Sequence, residues 1–417
     1  MSQRLLEVAI RSLAVAALSG TLWAQSPDSD VGVALPFSVS AGLLNSHRLK
    51  SDDASASPFA ASFRAVFKPN AQFGEHWFFY SAIQVSSTPY FYYDSYDSQR
   101  ALEVQLLQGF LGYKRQLGQA TLLVKAGRLS SAFGSFPLRY DDTDNPLLDQ
   151  PLSYSYPVQI RADQLPCNID NLIEQREYRY PGFDCGGATS EGSGVVPVTL
   201  YGLPGFEIDA SYRRVDVRLQ ITNSSPANPQ GLLSRSQHAQ WTAGAGYTLR
   251  QGFRIGVSGF RGAWLDHAVS SFLPVAHHIG DYAASGLGID AQWNRARWST
   301  SAEWQRFQFD YPGFRTAPAT TFGYVEAKAV VNPRLYLAGR AGFQRYNHPA
   351  DAFERASVAF LPAREVWELA AGYRFNRMQL LKVGYEWLHT AGISGTRDNV
   401  IGLQFVTSID SLSKAWR

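Results

Sequence analysis

The chain is poor in several things that a sequence of 417 residues ordinarily has. Two residues are cysteine, two are methionine and seven are lysine. A lone pair of cysteines, Cys167 and Cys185, rules out a disulfide-dense scaffold, and with no histidine close by it argues against a metal site. Charged residues are 18% of the chain, low for a soluble protein, and the formal net charge is only +3, so nucleic acid is not an expected partner. Beyond the N-terminal segment there is no apolar run of about 18 residues, which excludes a transmembrane helix. G-x-S-x-G and H-E-x-x-H are absent, and no motif recurs every 40 residues or so, which weakens a propeller.

The N-terminus reads as an export signal. Arg4 and Arg11 precede a short apolar stretch, Leu13 to Leu22, and Ala24 is a small residue suited to cleavage. Residues 1–24 are assigned to the signal and 25–417 to the mature protein. Cleavage there leaves a net charge of about +2.

Aromatic residues, at 13%, and 35 glycines favour β structure. The stronger signal is alternation with period two. In "QHAQWTAGAGYTLR" (Gln237–Arg250), Ala239, Trp241, Ala243, Ala245, Tyr247 and Leu249 share one face. Val215, Val217, Leu219 and Ile221 do the same against Asp216, Arg218, Gln220 and Thr222. Phe59–Phe67, Ala283–Trp293 and Leu335–Phe343 repeat the pattern. These runs have the roughly 9 to 11 residues that a tilted strand needs to cross a bilayer, rather than the ~5 or 6 of a globular strand.

Short connections (Gln116–Gly118, Arg213–Arg214, Asn294–Ala296) alternate with long ones (Ser87–Arg100, Leu265–Asp281, Asn347–Ala363). The fold class expected is all-β: a transmembrane antiparallel barrel of about sixteen strands, with short periplasmic turns, long outer loops and both termini on the short-turn side. Trp264, Trp304, Phe309 and Trp387 are expected in the outer aromatic girdle. Tyr113, Tyr247, Trp293, Trp298, Tyr373 and Phe375 are expected in the inner one.

The polar face then lines a water-filled lumen. Its basic residues include Arg64, Lys125, Arg218, Arg254, Arg340, Arg374 and Lys382, and Arg213, Arg297 and Arg306 fall on the same reading. Their modest excess over the acids suggests a mild anion preference. The alternative is that they pair across strands and stiffen the wall. The one long break in the alternation, 130–194, is the third outer loop. It has the length to fold inward, and Arg128, Arg139, Asp141, Asp142, Asp144, Asp149 and Arg161 are candidates for a pore constriction. In an oxidising compartment Cys167 and Cys185 can pair and restrain it. "DDTDN" (Asp141–Asn145) lacks the glycine of an EF-hand loop, so no metal is expected.

At "VKAGRLSSAFGSFPLRYDD" (Val124–Asp142) and "VTLYGLPGFEIDASYRRVDVRLQITNSSP" (Val198–Pro226) the sequence resembles bacterial outer-membrane porins, and is most similar to the phosphate-selective porin O and P type. The matching residues are Gly127, Arg128, Phe133 and Gly134, a strand end running into a Phe-Gly pair before the long third loop. "LLKVGYEWLHTAGISGTRDNVIGLQFVTSI" (Leu380–Ile409) resembles the closing strands. The resemblance implies a passive channel assembled as a homotrimer in the bacterial outer membrane. The partners expected are outer-membrane lipid and small anionic or neutral solutes, with no cofactor and no enzymatic activity. The chain departs from the family in its seven lysines, so phosphate specificity is not carried over. It also continues past Phe405 to Trp416, where many barrels end on an aromatic residue. A barrel hydrolase and an adhesin-like barrel are the rival functions.

Overall fold

Sixteen of the alternating segments pair edge to edge and return to the first strand. In a computed structural model the described residues are 31–410, apart from 51–54, 56, 92–100, 159, 167, 175–193, 226–227, 230–237, 352–360 and 393–398. The signal segment, Cys167, Cys185 and Trp416 lie outside the described residues. The strands are β1 (Phe37–Ser46), β2 (Phe59–Phe67), β3 (Trp77–Thr88), β4 (Ala101–Leu117), β5 (Ala120–Ser130), β6 (Tyr201–Tyr212), β7 (Val215–Ser225) and β8 (Ala239–Arg250). They continue with β9 (Phe253–Ala263), β10 (Ala283–Arg295), β11 (Trp298–Phe309), β12 (Ala319–Val330), β13 (Leu335–Tyr346), β14 (Arg364–Arg374), β15 (Gln379–Thr390) and β16 (Val400–Ile409). Each pairs antiparallel with its neighbour in sequence, and β1 pairs with β16 from Phe37↔Ile409 to Ser46↔Val400, closing a sixteen-stranded barrel.

Closure leaves the sheet no open edge, the condition for a β-structure to sit in lipid. The strands turn tightly at one end. Arg213 and Ala296 adopt left-handed backbone conformations (φ 54° and 51°) in the connections that follow Tyr212 and Arg295, as tight hairpins require. Both chain ends of the barrel, Phe37 and Ile409, lie at this end.

Alternation gives each strand two different environments. Leu219, Ile221, Trp241, Leu287, Ile289, Leu369 and Ile401 face outward and are exposed, an apolar surface suited only to lipid. Tyr247, Trp298, Tyr373 and Phe375 are exposed near the tight turns, and Trp304 and Trp387 toward the long loops. Trp264 and Phe309 depart from the girdle expected for them. Both are buried in a core inside the barrel, with ring centroids 5.3 Å apart.

That core is the second departure from a simple water-filled tube. Phe260, Phe307, Phe322, Val366 and Leu388 occupy inward positions at the long-loop ends of β9, β11, β12, β14 and β15, and all are buried. They pack on Phe133, Phe136, Leu152, Tyr154, Val158, Ile160, Leu165 and Leu172, which belong to the segment after β5. The segment's two limbs are joined by backbone hydrogen bonds between Val158 and Val195 and from Ser131 N to Leu200 O.

Candidate functional site: the lumen and the segment folded into it

The described residues between 131 and 174, after β5, turn into the barrel and meet its inner wall on both sides. The leading part is polar. Arg139 donates to Tyr324 (3.0 Å) and is ion-paired with Glu326. Asp141 is paired with Lys68 on the opposite wall. Asp142 accepts from Arg64 (3.0 Å), Ser40 (2.6 Å) and Tyr90 (2.9 Å). Farther on, Lys382 donates to the carbonyl oxygens of Asn145 (2.9 Å) and Leu147 (3.2 Å), and Tyr336 to that of Pro146 (3.2 Å). Arg340 donates to the Asp149 carbonyl oxygen (3.1 Å) while it bridges Glu326 (2.8 Å) and Glu368 (2.7 Å). Glu303 is a second hub, accepting from Ser135 Oγ (2.7 Å), Tyr154 OH (2.6 Å) and Tyr324 OH (2.6 Å).

Burying these charges is costly unless each finds partners, and most do. Burial alone would raise the Asp142 carboxyl. Arg64 and Lys382, with hydrogen bonds from Ser40 and Tyr90, hold it below its ordinary 3.8 instead. Asp144 moves the other way. Burial, and then the neighbouring Asp141, push it up from 3.8, against the opposing pull of Lys68, Lys328 and Lys382.

The rest of the segment is held by shape. Phe133 sits edge-on to Phe260 (5.2 Å between centroids) and beside Phe307 (5.5 Å). On its far side is Gly288, where a Cβ would lie 3.0 Å from the Phe133 ring. Gly402, on β16, plays the same part for Phe91 and Leu148, whose side-chain atoms would stand 2.5 and 2.6 Å from a Cβ there. Such contacts cannot be relieved without moving the packed side chain.

Of the seven candidate loop residues, Arg139, Asp141, Asp142 and Asp149 come together around the wall contacts above, and Asp144 lies near them. Arg161 is elsewhere. It is held by Asp163 (2.6 Å), and its carbonyl oxygen accepts from Tyr311 (2.5 Å). Arg128 forms no ion pair among the described residues, and its guanidinium lies beside Gly202.

The seven wall cations all line the lumen, and most are engaged by acids. Lys125 meets Glu207 (2.6 Å) and Asp209 (2.7 Å), Arg218 meets Asp209 (3.1 Å), and Arg254 meets Asp216 (2.6 Å) and Asp290 (2.9 Å). Arg374 has no acidic partner among the described ion pairs, nor does its inward-facing neighbour Lys328. Three further expectations are corrected. Arg213 and Arg297 occupy turns, and Arg306 faces outward, paired in register with exposed Leu287. Sequence reasoning missed the tyrosines that join segment to wall, Tyr90, Tyr154, Tyr324 and Tyr336. Only Tyr324 and Tyr336 lie in strands, where their signal was an aromatic residue on the lumen-facing parity; Tyr90 and Tyr154 lie outside the strands and carried none.

No protein-family model and no curated protein matches the chain. Solved structures do. The outer-membrane channel DcaP of Acinetobacter baumannii is 11% identical with a TM-score of 0.52, covering 92% of this chain and 99% of its own. Salmonella typhi OmpF, in a complex with daunomycin, is 11% identical with a TM-score of 0.53, covering 90% and 97%. OmpT, an outer membrane protein of Vibrio cholerae, is 10% identical with a TM-score of 0.53, covering 93% and 99%. At such identities the likeness carries the fold. The chain therefore has the fold of a bacterial outer-membrane β-barrel of the porin type. The likeness extends to that type in general and does not single out the phosphate-selective O and P group.

Proposed function

We propose that the protein is an exported outer-membrane porin, a passive and non-enzymatic channel for ions and small hydrophilic solutes, whose conductance is set by the segment folded into its lumen. The observation that carries this reading is the closed sixteen-stranded barrel with ionisable side chains along its inner wall. Water reaches part of that wall, where Lys125, Arg218 and Arg254 are 18%, 27% and 28% exposed, whereas a purely mechanical barrel has no need of such side chains. Arg139, Asp141, Asp142 and Asp149 fix the narrowing, and Asp144 borders it.

A mild anion preference follows from charge that the wall leaves uncompensated. Lys125, Arg218 and Arg254 are neutralised by acids, whereas Lys328 and Arg374 have no acidic partner among the described ion pairs. The likeness to porins is also the basis for proposing a homotrimer, and the resemblance at Gly127–Gly134 keeps the O and P type as the finer assignment. A Cys167–Cys185 disulfide is part of the proposal and is tested by a mass shift on reduction.

The test of function is reconstitution into planar bilayers. Stepwise conductance is expected, with a reversal potential in a salt gradient that favours anions. A folded barrel with no conductance and a measurable esterase or protease activity overturns the channel reading. A cation-favouring potential overturns the anion preference alone.

A further inference from the structure

The outward face of the barrel is not uniformly apolar. On β11, β12 and β13, Arg306, Thr321 and Arg345 are paired side by side in register. With strands about 4.8 Å apart, the two arginine backbones stand about 10 Å apart with the threonine between them. Arg345 is engaged by Glu365 (2.5 Å) and by the carbonyl oxygen of Arg364 (2.9 Å), which fixes its guanidinium at the mouth of a groove. Arg306 is exposed and has no hydrogen-bond or ion-pair partner among the described residues. The wall elsewhere pairs most of its arginines, so a free one on the lipid-facing side stands out.

Directly below, toward the tight turns, lies a groove of about 620 Å³ on the same face. Its floor is made of Ala302, Gly323 and Ala341 with Val325 between the two alanines, its sides of Trp304, Phe343 and Trp367, and Glu365 also lines it. Trp304 and Trp367 are exposed outward and belong to the girdle on the long-loop side. The order along the barrel is thus a pair of arginines, with Glu365 beside Arg345, and then an apolar slot walled by the aromatic belt. That order matches a single amphiphile standing in the leaflet. An anionic oxyacid headgroup meets guanidinium and hydroxyl donors, its neck meets the tryptophans, and a saturated chain fills the slot.

We propose that this face is a binding site for a phosphate-bearing lipid of the outer leaflet, with Arg306 and Arg345 holding the phosphate on either side of Thr321 and one acyl chain lying in the groove. Charge complementarity at Arg306 selects the phosphate, because Arg345 shares its charge with Glu365 and a zwitterionic headgroup offers Arg306 an added cation. The shape of the slot selects a chain, because small residues and one valine leave its floor low between the aromatic side chains. The proposal rests on the barrel's spanning the outer membrane with its long loops outward. It is independent of conduction, since none of these side chains faces the lumen.

The test is native mass spectrometry of the purified barrel in detergent, titrated with diphosphoryl lipid A and with the same lipid stripped of its phosphates. The diphosphoryl form is expected to be retained about tenfold more strongly. Arg306→Glu is expected to remove that preference, and Ala341→Phe, which fills the slot, to weaken retention of both forms. Heat-modifiable migration shows that each variant is a folded barrel, and if one fails to fold the other still decides. Equal retention of the two lipids by the wild type, or an unchanged preference in Arg306→Glu, overturns the proposal. Displacement of bound lipid by inorganic phosphate alone also overturns it, because a free-anion site would then explain the arginines. Conductance is measured in the same preparations. Its absence in the wild type counts against the channel, whereas altered lipid retention with unchanged conductance in Arg306→Glu supports the lipid site on its own.

Discussion

The inward segment meets the barrel in two chemically different ways. From Arg139 to Asp149 it is held by charge: Asp142 on Arg64, Asp141 on Lys68, Arg139 on Glu326, and two carbonyl oxygens on Lys382. Around Phe133 and from Leu152 to Leu172 it is held by an aromatic and aliphatic core shared with Phe260, Phe307, Phe309 and Trp264. The first kind of contact is specific in position but contributes little net stability, because desolvation offsets most of the attraction. The second is indifferent to pH and salt and contributes most of the holding free energy. The contrast assigns anchorage to the apolar part. Under the porin function proposed above, the polar part is what borders the path of a solute.

Four substitutions sharpen or break this contrast. The largest expected effect is Phe133→Ala, which leaves a cavity between Phe260, Phe307 and Gly288 and costs about 4 kcal/mol in denaturant unfolding, independent of salt. A loss below about 1 kcal/mol would mean that the apolar part is not a core. Next is Arg64→Met, at about 3 kcal/mol, because Asp142 is left buried without its cation. This effect is pH-dependent. The Asp142 carboxyl lies below 3.8 in the folded protein, so its contribution is complete at neutral pH and fades only as pH falls below that value. In Arg64→Met the loss of stability should begin at higher pH, and an unshifted acid-unfolding midpoint would contradict the pairing. Gly402→Val should cost about 2 kcal/mol by displacing Phe91 and Leu148, and equal sensitivity of the loop to protease in wild type and variant would count against the socket.

The smallest effect concerns Asp144. Its carboxyl is raised, so on acidification it loses its charge before Asp142 does and the narrowing becomes more positive. Anion preference should therefore rise as pH falls toward 4. Asp144→Asn should show the higher preference already at neutral pH, with less change on acidification. Parallel reversal-potential curves for the two proteins would remove Asp144 from the permeation path.

Much of the wall could be read from the sequence. The alternation at Gln237–Arg250 corresponds to β8 at Ala239–Arg250, and that at Val215–Thr222 to β7 at Val215–Ser225. Period-two patterning is local, so each strand announces itself. The contacts of the inward segment are not local. Asp142 lies 78 residues from Arg64, and Asn145 lies 237 from Lys382, separations at which spacing carries no information. The one legible sign was within the strands. The lumen-facing positions of β11 run Ser299, Ser301, Glu303, Gln305, Phe307, Phe309, polar at the tight-turn end and aromatic at the other. A lumen filled only with water does not favour that change, whereas a packed segment does. The same misreading put Trp264 and Phe309 in the membrane girdle, since an aromatic residue near a strand end looks alike whether it meets lipid or a core.

The central claim is that solutes pass through the barrel and that the inward segment sets the width of the path. Single-channel recording of the wild type beside Arg139→Ala tests it most directly, because that substitution removes a side chain joined to Glu326 and Tyr324 at the narrowing while leaving the Phe133 core intact. The account predicts discrete steps in the wild type and larger steps in the variant. Folded barrels that give no steps, or steps of the same size in both proteins, would contradict it.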